Sequence, residues 1–120
     1  MIRKCIITDI DGTLLEQYEH FEQRLVEKRQ PVKSLPGTLE KFVEWDRKGY
    51  SLVLITARRE SSRAITEKQL EELGIFYDAL VMGVGTGPRV LINDLKPETD
   101  VDMAVAINLK RNQGIGEIDV

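Results

Sequence analysis

The chain has little of three things, and each scarcity excludes a class of protein. Its single cysteine, Cys5, excludes an internal disulfide and favours a reducing, cytoplasmic location. It has no long apolar run: the N-terminal one is interrupted by Thr8 and Asp9, so it is too short for a signal peptide or a membrane span. Its 17 basic and 20 acidic residues leave a net charge of only −3, which provides no general field for nucleic acid or anionic membrane.

The remaining composition is that of an ordinary globular domain. Hydrophobic residues make up 42% and charged residues 31% of a chain of 120 residues, which is enough for one domain, residues 1–120, with one core. Cys5 stands inside the first apolar run and is therefore expected to be a small core residue.

Apolar runs alternate with helical patterns along the chain and predict an α/β fold. Strands are predicted at residues 3–9, 50–56, 78–82, 89–93 and 104–109. One helix is predicted to begin at about residue 38 and to end at Gly49, and another to run from about 61 to 73. Because helical connections of a dozen or more residues separate these strands, we expect a parallel sheet with right-handed crossovers. The polar residues 14–36 predict a flap or a minimal cap after the first strand. Residues 110–120 are interpreted as a polar tail that frays.

Polar side chains stand where three of these predicted strands end. Asp9 and Asp11 close the first strand and, because strand side chains alternate, both point to one side of it. Thr56 ends the second strand and Asp94 follows the fourth. Ligands of parallel sheets bind at the carboxyl ends of strands, so these groups are expected to meet around one divalent ion. Mg²⁺ prefers such oxygen ligands and combines them with water and substrate phosphate.

These residues resemble three motifs of the haloacid dehalogenase (HAD) superfamily of phosphohydrolases. The run Asp9-Ile-Asp-Gly-Thr13 resembles the first motif, Thr56-Ala-Arg58 the second, and Ile92-Asn-Asp94 the acidic fourth motif. The resemblance implies a three-layer Rossmannoid fold with a central parallel five-stranded sheet in the order 5-4-1-2-3. It also implies a Mg²⁺-dependent phosphatase that works through an aspartyl phosphate.

The resemblance assigns roles by position. Asp9 would be the nucleophile and a metal ligand, and Asp11 the general acid/base with its carbonyl on the metal. Asp94, with Asn93 beside it, would complete the metal site, and Thr56 would hold the phosphoryl group. The other substrate-binding candidates are Gly12, Thr13, Ala57 and Arg58.

The chain departs from the family pattern at the third motif, a Lys or Arg that neutralises the nucleophile and the phosphate. The loop from Gly83 to Arg89 contains no lysine. Arg89 stands at about the right place, Lys96 just after Asp94 is a second candidate, and Lys68 is a third.

Three functions are compatible with these features. A phosphatase of the small, nearly capless type, acting on a sugar phosphate such as 3-deoxy-octulosonate phosphate, agrees with the short insertion, and such enzymes often cover the site with a second subunit. A nucleic-acid end phosphatase is an alternative, although the acidic net charge opposes it. The unusual third motif leaves a non-catalytic phospho-ligand binding domain as the other alternative. A calcium loop is disfavoured because Leu14 and Leu15 occupy ligand positions.

Overall fold

The computed structural model describes residues 2–28 and 31–120, and it confirms an α/β fold with a parallel sheet. A short 3₁₀ turn, Glu60–Ser62, precedes the last helix. The elements in chain order are β1 (Cys5–Asp9), α1 (His20–Lys28), α2 (Thr38–Arg47), β2 (Ser51–Thr56), α3 (Arg63–Glu72) and β3 (Ala79–Met82). The predicted flap therefore contains a helix, and the part of that prediction that concerns residues 29 and 30 lies outside the described residues.

The three strands lie in the order β1-β2-β3, and their register separates two faces of the sheet. Leu54 pairs with Leu80 on a face that is buried, with 0% and 9% exposure. Ile7 and Val81 belong to the other face, where they remain 47% and 44% exposed. Since partners in register share a face, the core lies on one side of the sheet only.

The core is built from that buried face and the two longer helices. Phe42 and Trp45 of α2 and Leu70 of α3 belong to one cluster with Leu52 and Leu54 of β2. This cluster agrees with the apolar spacing of both helices. The second helical layer of the predicted three-layer fold is not found among the described residues, because Ile7 and Val81 are not covered by one.

The predicted fourth and fifth strands are absent from the described residues. Residues 89–93 and 104–109 form no strand, and Val90 and Ile92 are 82% and 86% exposed. An apolar run becomes a strand only where another strand pairs with its backbone, and in the part of the chain that the structure describes neither run joins the sheet. The chain leaves the sheet after β3 at Gly83 (φ 72°). The predicted order 5-4-1-2-3 is therefore represented by its 1-2-3 part.

The C-terminal segment does not fray, in contrast to the prediction. Ile115 is only 1% exposed and belongs to the core cluster. Gly114 (φ 88°) packs so closely against the backbone of Pro36 that any added Cβ would collide with the Pro36 carbonyl oxygen. Polar composition suggested a free tail, whereas one apolar side chain and a close backbone contact hold it in place.

Cys5 is exposed rather than buried, so its predicted core position is wrong. It lies on the same face of β1 as Ile7, two residues further on. The sequence pattern showed an apolar run but not which of its two faces would be covered.

Candidate active site

A tight turn after β1 forms the floor of the candidate site. The carbonyl of Ile10 accepts hydrogen bonds from the N–H groups of Thr13, Leu14 and Leu15, at 3.2, 2.8 and 3.0 Å. Gly12 takes the left-handed conformation that this turn needs, with φ 87°. Leu14 and Leu15 are fully buried and anchor the turn in the core. The turn is thus held from below and carries the two aspartates on either side of Ile10.

Asp9 lies at the end of β1 in a partly buried environment that shifts its pKa. Burial, which disfavours the charged carboxylate, raises the pKa of Asp9 above its ordinary value, and the negative charge of Asp11 raises it further. A hydrogen bond from the backbone of Ile10 and the positive charges of Arg89 and Arg111 act in the opposite direction. Two arginines therefore lie near enough to Asp9 to stabilise its charged carboxylate.

Asp11 is held by a buried guanidinium. Nε of Arg58 donates to one carboxylate oxygen of Asp11 at 2.9 Å, and Nη2 donates to the other at 2.7 Å. The Arg58 side chain is only 1% exposed and that of Asp11 12%. The structure thus pairs Arg58, a predicted substrate-binding residue, with Asp11, the predicted acid/base, and buries the Arg58 side chain.

Two polar side chains of α3 hold the remaining amino group of Arg58. Nη1 donates to the hydroxyl oxygen of Thr66 at 3.0 Å and to the side-chain oxygen of Gln69 at 2.6 Å. The amide nitrogen of Gln69 in turn donates to the carbonyl of Val26 in α1. A continuous chain of hydrogen bonds therefore links Asp11, the helix α3 and the helix of the insertion.

Thr56 lies beneath this arrangement and supports the second loop. Its hydroxyl oxygen accepts the backbone N–H of Arg58 at 3.1 Å, and the residue is 1% exposed. Gly12 is buried, and Thr13 and Ala57 are half-buried around the same strand ends. Val84 donates its N–H to the carbonyl of Thr56 at 3.2 Å, so the end of β3 is fastened to this loop as well.

The predicted metal ligands of the fourth motif form hydrogen bonds with other residues. The carboxylate of Asp94 is 74% exposed and accepts a hydrogen bond from Lys96 at 2.9 Å. Asn93 donates its side-chain amide to the carbonyl of Met103 at 3.0 Å. Within residues 2–28 and 31–120, no group of three or more His, Cys, Asp or Glu side chains is arranged to hold a metal ion.

One family model matches this chain over residues 2–85, described as the HAD superfamily, subfamily IIIB (acid phosphatase). The matched part spans all three strands and the loops that carry Asp9, Asp11 and Arg58. The chain belongs to this family. It is therefore an HAD-type phosphatase, a hydrolase of phosphoric monoesters. The comparisons with curated proteins and with solved structures gave no match. None of the described helices is both long enough and apolar enough to span a membrane.

The geometry distinguishes the three candidates for the third-motif cation of this HAD phosphatase. Arg89 acts on the charge of Asp9, and its guanidinium donates to the carbonyl of Gly87 at 2.7 Å. Lys96 is engaged by Asp94, whereas Lys68 lies exposed on α3, 4.0 Å from a carboxylate oxygen of Glu72. Of these three, Arg89 is the one whose charge lowers the pKa of Asp9.

Sequence reasoning missed the turn of residues 110–113, which packs against the loop after β1. The N–H of Asn112 donates to the carbonyl of Gly12 at 2.8 Å, and Arg111 acts on Asp9. The only signal in the sequence was the polar run Lys110-Arg-Asn112 directly after the last apolar run, which indicated a tail.

Proposed function

We propose that this HAD phosphatase hydrolyses a small sugar phosphate through a covalent aspartyl phosphate on Asp9, with Mg²⁺ as cofactor. The observation that carries the proposal is the strand-end position of Asp9, beside the anchored carboxylate of Asp11 and within reach of the charges of Arg89 and Arg111. A carboxylate nucleophile, an acid/base and cations for the phosphate are the groups that this chemistry needs.

The reaction has two steps, and Asp11 moves the proton in both. An oxygen of Asp9 attacks phosphorus while the bond from phosphorus to the ester oxygen breaks, and protonated Asp11 gives its proton to that leaving oxygen. Water then attacks the phosphorus of the aspartyl phosphate. Asp11 takes a proton from this water, the bond between phosphorus and Asp9 breaks, and inorganic phosphate leaves.

Arg58 is proposed to position Asp11 for this proton transfer. Both carboxylate oxygens of Asp11 accept hydrogen bonds from Arg58, and each oxygen keeps a second lone pair that could carry the transferred proton. The contacts with Arg58 would keep the carboxyl group oriented throughout the cycle. Thr56 accepts the backbone N–H of Arg58 and would fix the position of this loop. Through the loop, Thr56 would help to hold the phosphoryl group.

The oxygen atoms of Asp9 and Asp11 suit Mg²⁺, which usually needs few protein ligands. Mg²⁺ commonly uses one or two protein carboxylates and takes its other ligands from water and substrate phosphate, so Asp9 and the carbonyl of Asp11 would hold it. Asp94 and Asn93 are proposed as further ligands on the strength of their motif alone. When bound, the ion neutralises charge on the phosphoryl oxygens.

The proposed substrate class rests on the resemblance to small, nearly capless phosphatases, with which the short insertion agrees. Between Leu14 and Pro36 the described chain builds one helix of nine residues, which leaves little protein to enclose a substrate. We include in the proposal a homo-oligomer, in which a second copy covers the site; the half-exposed Ile7 and Val81 support it. We also include a cytoplasmic location, which the unpaired Cys5 supports.

The test is phosphate release from p-nitrophenyl phosphate, a panel of sugar phosphates and 5′-phosphorylated oligonucleotides, each with and without Mg²⁺. We expect wild-type turnover to need Mg²⁺ and to be fastest with a sugar phosphate, and Asp9→Asn to lose roughly a thousand-fold or more of kcat. The control is Asp46→Asn, the same substitution at an exposed position of α2. Equal rates for Asp9→Asn and Asp46→Asn would refute the mechanism, and a preference for oligonucleotides would refute the substrate class.

A further inference from the structure

The turn of residues 110–113 is fastened to the loop after β1 by one asparagine. Beyond its backbone bond to Gly12, the side-chain oxygen of Asn112 accepts the N–H of Gln17 at 2.7 Å, and its side-chain nitrogen donates to the Gln17 carbonyl at 2.9 Å. Asn112 adopts a left-handed conformation with φ 63°, which asparagine tolerates better than most residues. The turn is therefore fixed relative to the loop that carries the two aspartates.

This attachment places the neighbouring Arg111 directly over the loop. Its Cγ lies 3.2 Å from the point where a Cβ on Gly12 would stand. Arg111 is exposed and forms no salt bridge within the described parts of the chain. Because Asn112 provides the attachment, the guanidinium of Arg111 is not needed to hold the turn and stays available to a ligand.

The charges around the two aspartates show what such a ligand would be. Asp9 and Asp11 present negative charge to a substrate that is itself an anion, so the site needs compensating cations. Arg58 is buried and committed to Asp11. Arg89 and Arg111 are the cations that act on Asp9 in the described structure.

We propose that Arg111 is a substrate-binding residue whose guanidinium, together with that of Arg89, contacts the phosphoryl oxygens of the ester. The proposal rests on the proposed function for the identity of the ester. An arginine suits this role because its planar fork of N–H groups matches the oxygens of a phosphate. The phosphatase would thus complete its anion site with a residue from beyond the family's matched region, residues 2–85.

The first experiment measures binding without turnover. The melting temperature is followed while inorganic phosphate is titrated into wild type, Arg111→Ala, Arg111→Lys and Lys110→Ala. Lys110 is an exposed cation of the same turn and serves as the matched control. We expect the half-effect concentration of phosphate to rise about tenfold in Arg111→Ala, the effect of one lost charge-assisted hydrogen bond, to recover in part in Arg111→Lys, and to stay within about twofold of wild type in Lys110→Ala.

The second experiment separates substrate binding from a structural role. With p-nitrophenyl phosphate and Mg²⁺, Arg111→Ala should raise KM and weaken inhibition by phosphate while its melting temperature without phosphate stays near that of wild type. Equal phosphate titrations for Arg111→Ala and Lys110→Ala, or no stabilisation of wild type by tens of millimolar phosphate, would overturn the inference. A failure of the proposed mechanism shows itself elsewhere, as undiminished hydrolysis by Asp9→Asn.

Discussion

The two carboxylate oxygens of Asp11 and the guanidinium of Arg58 form a paired hydrogen bond, at 2.7 and 2.9 Å, across 47 positions of sequence. The pair joins the loop after β1 to the loop after β2. It also determines how Asp11 is oriented toward the ester oxygen that it is proposed to protonate.

Replacing Arg58 should therefore damage both stability and catalysis. Arg58→Ala leaves the carboxylate of Asp11 without its partner, and we expect a loss of about 2–4 kcal/mol in the free energy of unfolding. Arg58→Lys should recover little of it, because an ammonium cannot make the paired contact. Urea unfolding and the pH dependence of kcat measure the two effects. Arg59→Ala, at an exposed neighbouring position, is the control, and equal stabilities of Arg58→Ala and Arg59→Ala would contradict the prediction.

Removing the charge of Asp9 should stabilise the protein at neutral pH. The folded state raises the pKa of Asp9 above its ordinary 3.8, mainly by burial, so the cost of ionisation to stability grows as the pH rises above 3.8 and is complete above the folded pKa. Below about pH 3.8 the carboxyl is protonated in both states and this cost disappears. We expect Asp9→Asn to melt above wild type at pH 7 in a chelator, with a smaller difference near pH 4. A lower melting temperature of Asp9→Asn than of Asp46→Asn at pH 7 would contradict the predicted stabilisation.

The proposed role of Asp94 predicts a specific metal phenotype. If Asp94 binds Mg²⁺, Asp94→Asn should raise the Mg²⁺ concentration for half-maximal activity by tenfold or more, since one of few carboxylate ligands is lost. Asp100→Asn removes the same charge from a nearby exposed position and should leave that concentration unchanged. Identical Mg²⁺ titrations for these two variants would remove Asp94 from the site and leave Asp9 as its carboxylate ligand.

Two substitutions of Asn112 should separate its side-chain bonds from its backbone conformation. Asn112→Gly loses the two side-chain bonds to Gln17 but tolerates φ 63°, so we expect a loss of about 1 kcal/mol in unfolding free energy. Asn112→Ala loses the same bonds and also bears left-handed strain, about 1 kcal/mol more. Chemical denaturation of both variants and wild type gives the difference. Equal unfolding free energies of Asn112→Ala and Asn112→Gly would show that the turn changes conformation.

The local elements of the first 82 residues, except the helix α1, could be predicted closely. The apolar run at 50–56 became β2 (Ser51–Thr56), and the run at 78–82 became β3 (Ala79–Met82). These runs are short, continuous and bounded by turn residues, so local pattern and burial agree. The same pattern at 89–93 gave no strand, because pairing depends on an edge that no local pattern identifies.

The part of the candidate site at the ends of β1 and β2 was predictable to the level of residue type and position, but not of partners; the strand predicted before Asp94 does not form. Asp9, Asp11 and Thr56 stand at strand ends as expected. Arg58 was interpreted as a substrate ligand because a sequence displays a charge without displaying what neutralises it. Arg111 was overlooked because it contacts Gly12 from the far end of the chain.

The sequence by itself determined which residues form the first three strands, and it placed a pair of carboxylates at the end of the first one, because side-chain alternation and apolar runs act over a few residues. Only the tertiary structure decided that Arg58 pairs with Asp11 and that Arg111 reaches the loop after β1. Those relationships join positions far apart in the chain, and they depend on which backbone groups and charges folding brings within hydrogen-bond distance.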